Sequence, residues 1–388
     1  MPMRLLLLIL CLSFASSSKS SKSSLSSRKS LRDPPLVRAK RLLSKMTVKE
    51  KIAQTFAAHT NEQSVRQFLK SGVGASKYMS ALSCGSNVTK CVMERNQLQR
   101  DFLNSTGIPI SFINEGLHGG AEYGTIFPMP INQGCSFNVT LVEKIASVIA
   151  KESSAVGVDT VFAPVVNMIT DARFGRMQEG FSENPVLSTR MGVASVRGLQ
   201  GKQLGEEDYV QSDKVISLGK HFAAYGQPAG GLNGGSADMT SLDLHDIFLR
   251  PWREMAKEGL GALMPAHNTV DGIPCHGNAY LLNDMRAKFG FNGIMLSDCN
   301  DIGVLMDYRF AANRSHAAAL ALKAGLDWDL QCGYDNSAWG FNALNESLDD
   351  GLVSESDLDS TVLRILTHKF RVGLFDERGT IDPTHISL

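Results

Sequence analysis

Charged and polar side chains follow several short apolar runs of this chain, at the point where each run stops. The run at 294–296 leads within two residues to Asp298, another ends in Lys220 and His221, and a third leads into Glu115. A carboxylate can attack an electrophilic carbon or move a proton, and lysine and histidine donate hydrogen bonds to a polar ligand. These residue types predict a polar pocket able to do acid, base or nucleophilic chemistry.

The apolar runs read as buried strands that alternate with amphipathic helices. The candidate strands are 74–79, 108–114, 161–167, 216–222, 262–268, 294–298 and 325–330, with a possible eighth near 52–58. Two predicted helices show their apolar faces clearly: Leu141, Ile145, Val148 and Ile149 form one face, and Leu281, Leu282, Met285 and Phe289 before Gly290 form the other.

This alternation predicts an α/β fold with parallel strands, and the number of units favours a (β/α)₈ TIM-type barrel. A doubly wound sheet is the alternative, although no Gly-x-Gly-x-x-Gly motif opens a helix. In a barrel the carboxyl ends of all strands meet at one rim, which would gather the polar strand ends into a single site.

The N-terminus predicts secretion. Residues 1–17 have a basic start, an apolar core of about ten residues and small residues for cleavage, as in a signal peptide. Residues 18–34 are a Ser/Lys-rich linker, and residues 35–388 are expected to form the barrel domain. We therefore expect a secreted, extracellular or endomembrane protein with no membrane span.

The charge balance excludes some partners. Thirty-nine basic and 39 acidic residues give a net charge of zero, so electrostatics offers no case for nucleic-acid binding.

Without Cys11 in the signal segment, six cysteines are left, and Cys84 with Cys91 is the predicted local disulfide. Candidate glycosylation sites are Asn87, Asn104, Asn138, Asn313 and Asn345.

Two further motifs carry charged residues close together. Glu115 is followed three residues later by His118, which could be no more than a loop with a capping histidine. Residues 170–179 contain two acids and two arginines, and Asp171 with Arg173 could be a structural ion pair only.

Taken together, these segments resemble the N-terminal barrel domain of glycoside hydrolase family 3. The resemblance rests on Glu115-Gly-Leu-His-Gly119, Phe127-Pro128, Asp171-Ala-Arg-Phe-Gly-Arg176 with Glu179, Ser182-Glu-Asn-Pro185, Arg197-Gly-Leu-Gln-Gly201, Lys220-His-Phe222, Met264 with Asn268, Gly272-Ile-Pro274, Leu281-Leu282, Gly290-Phe-Asn-Gly293, Ser297-Asp298 and Lys369-Phe-Arg-Val-Gly-Leu-Phe375. It runs in order from about residue 45 to 380.

The resemblance implies a role for each matching residue. Asp298 matches the catalytic nucleophile, and a carboxylate suits attack on an anomeric carbon as an oxocarbenium-like transition state develops. Glu115, Arg176, Lys220 and His221 match the positions that hold sugar hydroxyls in the −1 subsite.

Other positions match less closely. Met264 and His267 match a pair near the sugar ring, where the family usually has tyrosine in place of His267. Cys299 follows the nucleophile where tryptophan is common, and a cysteine there resembles the xylosidase-like branch.

No general acid/base can be named from the sequence. Two-domain members take it from a C-terminal α/β sandwich domain, which we expect this chain to lack. The N-acetylhexosaminidase relatives use an Asp-His dyad after the Lys-His strand, where this chain offers only Asp238. Without it, hydrolysis should be slow for poor leaving groups, because general acid catalysis contributes about 10²–10⁴-fold. We therefore expect a truncated family member.

The sequence thus predicts a retaining exo-acting β-glycosidase, with β-glucosidase activity first and β-xylosidase activity next. Its partners would be β-linked glucosides, xylosides or oligosaccharides, and no cofactor or metal is implied. A catalytically inactive sugar-binding barrel is the main alternative. A metal-dependent hydrolase is disfavoured, because the sequence has no His-x-His after an early strand and no His-Glu-x-x-His.

Overall fold

Eight parallel strands form the centre of the protein. The computed structural model describes residues 33–59, 65–78, 87–120, 124–201, 205, 208–332 and 340–385. The strands of the main sheet are β1 (Phe56–His59), β2 (Ala75–Lys77), β3 (Ser111–Glu115), β4 (Thr160–Phe162), β5 (Ile216–Phe222), β6 (Ala262–Pro265), β9 (Ile294–Met295) and β10 (Asp329–Cys332).

The sheet curls into a closed barrel. Its strand order is β10-β1-β2-β3-β4-β5-β6-β9, and every pair within it is parallel. The two ends of this order meet, because Leu296 forms a parallel bridge with Trp328 and the Ser297 amide donates to the Trp328 carbonyl at 2.8 Å. The (β/α)₈ barrel prediction is confirmed.

Helices cover the outside of the sheet. They are α1 (Pro35–Leu43), α2 (Val48–Gln54), α3 (Val88–Thr106), α4 (Pro130–Cys135), α5 (Val139–Ala155), α6 (Pro185–Gln200), α7 (Arg250–Lys257), α8 (Ala279–Ala287), α9 (Asp301–Asp307), α10 (Arg314–Ala324), α11 (Leu344–Asp349) and α12 (Glu355–Arg371). A short α-helical segment, Ser241–Asp243, and a π-helical segment, Leu244–Phe248, precede α7. No helix among the described residues has the length and hydropathy needed to cross a bilayer.

Capping residues set where several helices begin. Asn138, Asn184 and Asn278 each accept a hydrogen bond from a backbone amide in the first turn of α5, α6 and α8, respectively. Ser354 forms a capping box with Asp357 at the start of α12. Such side chains satisfy amides that have no partner inside the helix, which fixes the helix start.

The barrel interior is filled by apolar side chains from several strands and from the residue after β9. Ile113, Leu218, Met264, Leu296 and Leu330 are members of this buried cluster, and each is at most 3% exposed. Because they pack the centre, the barrel is a solid core and not a pore, so a ligand can be held only at its ends.

A buried lysine joins several segments beneath this core. Lys369 of α12 is fully buried and donates to the Gln54 side chain at 2.6 Å and to the carbonyls of Pro109 at 2.7 Å and Val73 at 3.3 Å. Burial lowers the pKa of this ammonium group to about 7. These hydrogen bonds tie α12 to α2 and to the segments that lead into β2 and β3.

A short hairpin beyond β6 was not predicted from the sequence. Strands β7 (Thr269–Val270) and β8 (Ile273–Pro274) are antiparallel and joined by Asp271 and Gly272, both at positive φ. Asp-Gly is a strong signal for such a turn. The hairpin leads directly into the turn Cys275–Gly277, which lies at the candidate site.

Candidate active site

The polar strand ends lie together at the carboxyl-terminal rim of the barrel. The clamp side is the group Glu115, Arg176, Lys220 and His221, positioned by β3, β5 and the loop after β4. The second group, called the nucleophile side after the role predicted for Asp298, is His267, His276, Asp298 and Asp301, positioned by β6, β8, β9 and α9. The sequence predicted all four residues of the first group but only His267 and Asp298 of the second.

Glu115 lies between two lysines on the clamp side. Its carboxylate is 3.1 Å from the Lys220 ammonium nitrogen and 3.6 Å from that of Lys77. Burial alone would favour the neutral acid, but the two cations outweigh it and lower the pKa of Glu115. Glu115 is therefore ionised near neutral pH and can accept hydrogen bonds from hydroxyl groups of a ligand.

Arg176 is fixed by a bidentate ion pair. Its Nε and Nη2 atoms donate to the Glu179 carboxylate at 2.7 and 2.9 Å, and its Nη1 donates to the Tyr225 hydroxyl at 3.1 Å. Burial opposes the charge, but Glu179 outweighs it and raises the pKa of Arg176. A planar guanidinium held in this way presents its remaining donors in one fixed orientation.

His221 connects the clamp side to the nucleophile side. Its Nε2 atom is 3.2 Å from Arg176 Nη2 and 3.8 Å from a carboxylate oxygen of Asp298. Burial, and then the neighbouring Lys220 and Arg176, lower the pKa of His221 well below its usual value. The ring is therefore neutral, and its contact with Asp298 is not an ion pair.

Asp298 is held through its backbone. Its amide donates to His276 Nε2 at 2.9 Å, and its carbonyl accepts from the Asp301 amide at 3.2 Å. One carboxylate oxygen accepts from the Cys299 amide at 2.7 Å. The second oxygen is the one nearest His221, so it faces the clamp side.

The segment after Asp298 is joined to β10. A disulfide links Cys299 with Cys332, and the Asn300 side chain exchanges two hydrogen bonds, 2.8 and 3.0 Å long, with the Cys332 backbone. Asn300 itself has φ 61°, a conformation that asparagine tolerates better than most residues. The sequence did not predict this disulfide.

Asp301 contacts two histidines. One carboxylate oxygen is 2.6 Å from His267 Nδ1 and the other is 3.3 Å from His276 Nδ1. Neither His276 nor Asp301 was predicted as a site residue. The Asp-Gly hairpin is the sequence signal that could have placed His276 at the rim.

Met264, predicted to lie near the sugar ring, is a buried residue of β6 and packs within the barrel interior. Its register partner across the sheet is Lys220, so it lies in the layer at that level of the barrel. His267, three residues later, is 31% exposed at its side chain and reaches the rim.

One group of described residues brings three metal-ligand atoms together. His59, Cys299 and Cys332 place a ring nitrogen and two sulfur atoms within 4.8 Å of one another. The two sulfurs are joined in the disulfide, however, and the thiolate is the form of cysteine that binds metal. This group is therefore a covalent link at the rim and not a metal site in the present structure.

The structure describes all the predicted glycosylation sites but only one cysteine of the predicted disulfide. All five sequon asparagines, Asn87, Asn104, Asn138, Asn313 and Asn345, are exposed, so glycosylation of each stays a prediction. Cys91 is buried in α3 and disulfide-bonded. Cys84 lies outside the described residues, so the predicted pairing stays a prediction.

Comparison with known proteins gives one family. Residues 47–368 match the model of the glycosyl hydrolase family 3 N terminal domain. A β-xylosidase from Formosa agariphila is 38% identical over 284 residues, which cover 70% of this chain and 39% of that protein. A periplasmic β-glucosidase from Salmonella typhimurium is 32% identical over 342 residues, covering 87% and 42%. The chain spans less than half the length of these curated relatives.

Solved structures give the same result for the fold. A β-glucosidase from Erythrobacter marinus superposes with a TM-score of 0.82 at 29% identity, covering 91% of this chain and 47% of that one. A β-glucosidase from Listeria innocua in complex with glucose gives a TM-score of 0.78 at 28% identity, covering 89% and 48%.

Proposed function

Since the chain belongs to glycosyl hydrolase family 3, we propose that it is a retaining β-glycosidase with Asp298 as its nucleophile. The reaction would remove single sugars from the non-reducing ends of β-linked glycosides. Glucosides are the first candidate substrates and xylosides the second, and relatives of both names match this chain.

The observation that carries this proposal is the meeting of two groups at one rim. Asp298 has one carboxylate oxygen 3.8 Å from His221, whose ring is 3.2 Å from Arg176. Donors and acceptors that surround a sugar ring can strengthen their hydrogen bonds as the ring distorts. A nucleophile next to such a group is suited to attack the anomeric carbon of the sugar bound there.

In the proposed mechanism Asp298 forms a bond to the anomeric carbon while the bond to the departing oxygen breaks. Water then cleaves the glycosyl–Asp298 ester and restores the carboxylate, so the product keeps the starting anomeric configuration. Glu115 and Lys220 would hold hydroxyl groups of the same sugar. An acidic phenol needs little proton donation as it leaves, so 2,4-dinitrophenyl glycosides should react fastest.

We also propose that the protein works in a secretory or extracellular compartment. The Cys299–Cys332 disulfide supports this, because such bonds persist in oxidising surroundings. The exposed sequon asparagines fit the same proposal.

The test is hydrolysis of 2,4-dinitrophenyl β-glucoside and β-xyloside by the wild type and by Asp298→Ala. We expect the wild type to release the β-anomer first, as seen by NMR, and the variant to lose on the order of 10⁴-fold or more in rate. The exposed Asp307→Ala is the matched control and should behave as the wild type. Release of the α-anomer would exclude retention. Sugar binding without turnover, unchanged in Asp298→Ala, would indicate the sugar-binding barrel instead.

A further inference from the structure

The carboxylate of Asp301 is buried between two histidine rings. Its side chain is 1% exposed, with one oxygen 2.6 Å from His267 Nδ1 and the other 3.3 Å from His276 Nδ1. A buried carboxylate needs hydrogen-bond donors to offset the loss of water. His267 Nδ1 is hydrogen-bonded to one oxygen, whereas the other oxygen has no hydrogen-bond partner among the described residues and meets His276 Nδ1 as a polar contact at 3.3 Å.

The contacts of His276 determine where its proton lies. Its Nε2 atom accepts the Asp298 amide hydrogen at 2.9 Å, so that nitrogen carries no proton. A neutral imidazole must then carry its proton on Nδ1, which is the atom facing Asp301. Burial lowers the pKa of His276, in agreement with a neutral ring. Asp301 therefore favours the tautomer that can hold the Asp298 amide.

Asp301 and Asp298 are also joined through the backbone. The Asp301 amide donates to the Asp298 carbonyl at 3.2 Å, which closes a tight turn around Asn300. Asp298 is thus linked to Asp301 along the chain and again through His276. A displacement of the Asp301 carboxylate would move the His276 ring and, with it, the amide of Asp298.

His267 is the more exposed of the two rings. The hydrogen bond that His267 donates to the Asp301 carboxylate raises the pKa of His267; Asp298 adds to the rise, and burial and Arg176 oppose it. With Nδ1 facing Asp301, the ring is fixed beside the residue proposed to attack the sugar.

We propose that Asp301 is a positioning residue: through His276 it holds the amide of Asp298, and through His267 it fixes a second ring beside that residue. This inference rests on the proposed glycosidase function. Asp301 acts through other residues and does not itself contact the reacting atoms.

The kinetic test uses labelling by 2,4-dinitrophenyl 2-deoxy-2-fluoro-β-glucoside, which separates binding from the glycosylation step. Asp301→Ala should lower the maximal labelling rate about 100-fold, since a misplacement near 1 Å can cost that much, and change the half-saturating concentration little. Asp301→Asn should recover part of the rate, because its carbonyl still accepts from one histidine. Asp307→Ala on the same helix is the control. Equal rates for Asp301→Ala and the wild type would overturn the proposal.

A double-mutant cycle tests the path through His276. His276→Gln keeps an acceptor for the Asp298 amide and should label faster than His276→Ala. In the His276→Gln background, Asp301→Ala should cost clearly less than in the wild type. Full additivity, or equal rates for His276→Gln and His276→Ala, would contradict a path through this ring. If Asp301→Ala does not fold, the comparison of the two His276 variants still tests whether this ring holds the Asp298 amide.

A spectroscopic readout separates this inference from the proposed function. With ¹⁵N-labelled histidine, the wild type should show His276 protonated on Nδ1, and Asp301→Ala should shift it toward the Nε2-protonated tautomer. An Nε2-protonated His276 in the wild type would overturn the coupling to Asp301. If the wild type shows that expected tautomer but never labels, the glycosidase proposal fails, and Asp301 positions the Asp298 backbone without serving this reaction.

Discussion

The two sides of the rim hold their polar residues by different means. On the clamp side, side chains contact side chains: Glu115 pairs with Lys220, and Arg176 pairs with Glu179. On the nucleophile side, the decisive contacts reach the backbone, as in the hydrogen bond from the Asp298 amide to the His276 ring. In the proposed reaction, residues that bind hydroxyl groups can exchange partners with a ligand, whereas the attacking carboxylate must stay in one place.

The largest effect in this comparison is expected for Lys220 of the clamp side, with Lys77, the second lysine beside Glu115, as its reference. Lys220→Met removes a hydrogen bond to a charged group, worth about 1.5–3 kcal/mol, so kcat/KM for aryl glycosides should fall roughly 10- to 200-fold. Lys77, at 3.6 Å from Glu115, makes the weaker contact, and Lys77→Met should have a smaller effect. Equal effects of the two variants would mean that Lys220 has no special part in holding the ligand.

Removal of the Cys299–Cys332 disulfide tests whether this covalent bond supports the nucleophile side. The bond closes a loop between positions 33 residues apart, and loss of such a link costs about 3–4 kcal/mol of folding free energy. The double variant Cys299→Ala with Cys332→Ala should therefore melt at lower temperature and label more slowly. Cys135, which is free and exposed, gives the matched control Cys135→Ala. A labelling rate unchanged in the double variant would show that Asp298 does not need this support.

The pH dependence of stability should have opposite signs within the nucleophile side. The hydrogen bond that His267 donates to the Asp301 carboxylate raises the pKa of His267 in the folded protein. Its stabilising effect, about 1 kcal/mol or less for a partly exposed pair, is complete below pH 6.5 and is lost as the pH rises through the raised pKa. The melting temperature of the wild type should therefore exceed that of His267→Gln most at acidic pH.

For His276 the sign is reversed. Burial lowers the pKa of His276, so the unfolded chain takes up protons first and stability is lost as the pH falls below 6.5. Wild type compared with His276→Gln should lose stability on acidification. The same trend in both variants would contradict opposite shifts in the pKa values of His267 and His276.

The smallest effect is expected at Arg173. Its ion pair with Asp171 is well aligned, at 2.7 Å, but the arginine is 69% exposed, and exposed pairs contribute little. Arg173→Ala should leave the melting temperature and labelling rate unchanged. Arg176→Ala, which leaves Glu179 without its bidentate partner, should lower both. A large effect at Arg173 would place it in the clamp side.

Much of the barrel could be predicted, because buried parallel strands are apolar runs that end in polar residues. The run at 216–222 coincides with β5, whereas the runs at 161–167 and 262–268 are longer than β4 and β6. Buried apolar residues continue past the last ladder pair through residues 163–166 after β4, but only to Ala266 after β6, so hydropathy alone does not show where pairing stops. The face predicted for α5 is correct at Ile145 and Ile149, but Leu141 and Val148 are exposed.

The two sides of the site also differ in how far the sequence alone predicts them. The clamp residues lie in or beside motifs that can be recognised one at a time, as Lys220 and His221 show. His276 and Asp301 acquire their role only when the hairpin of β7 and β8 returns the chain to the end of β9. That contact joins positions 22 residues apart through one side chain and one amide, and no spacing rule indicates it.

The most direct measurement is the intact mass of the folded protein after incubation with the 2,4-dinitrophenyl 2-deoxy-2-fluoro β-glucoside and β-xyloside, followed by peptide mapping. The leaving group needs little acid assistance, and the fluorine slows breakdown of the glycosyl ester. We expect a mass gain of one sugar, located on Asp298 and absent from Asp298→Ala, with the faster reagent identifying the preferred sugar. A folded wild-type protein that gains no mass with either reagent, or that is labelled on another carboxylate, would contradict Asp298 as the nucleophile.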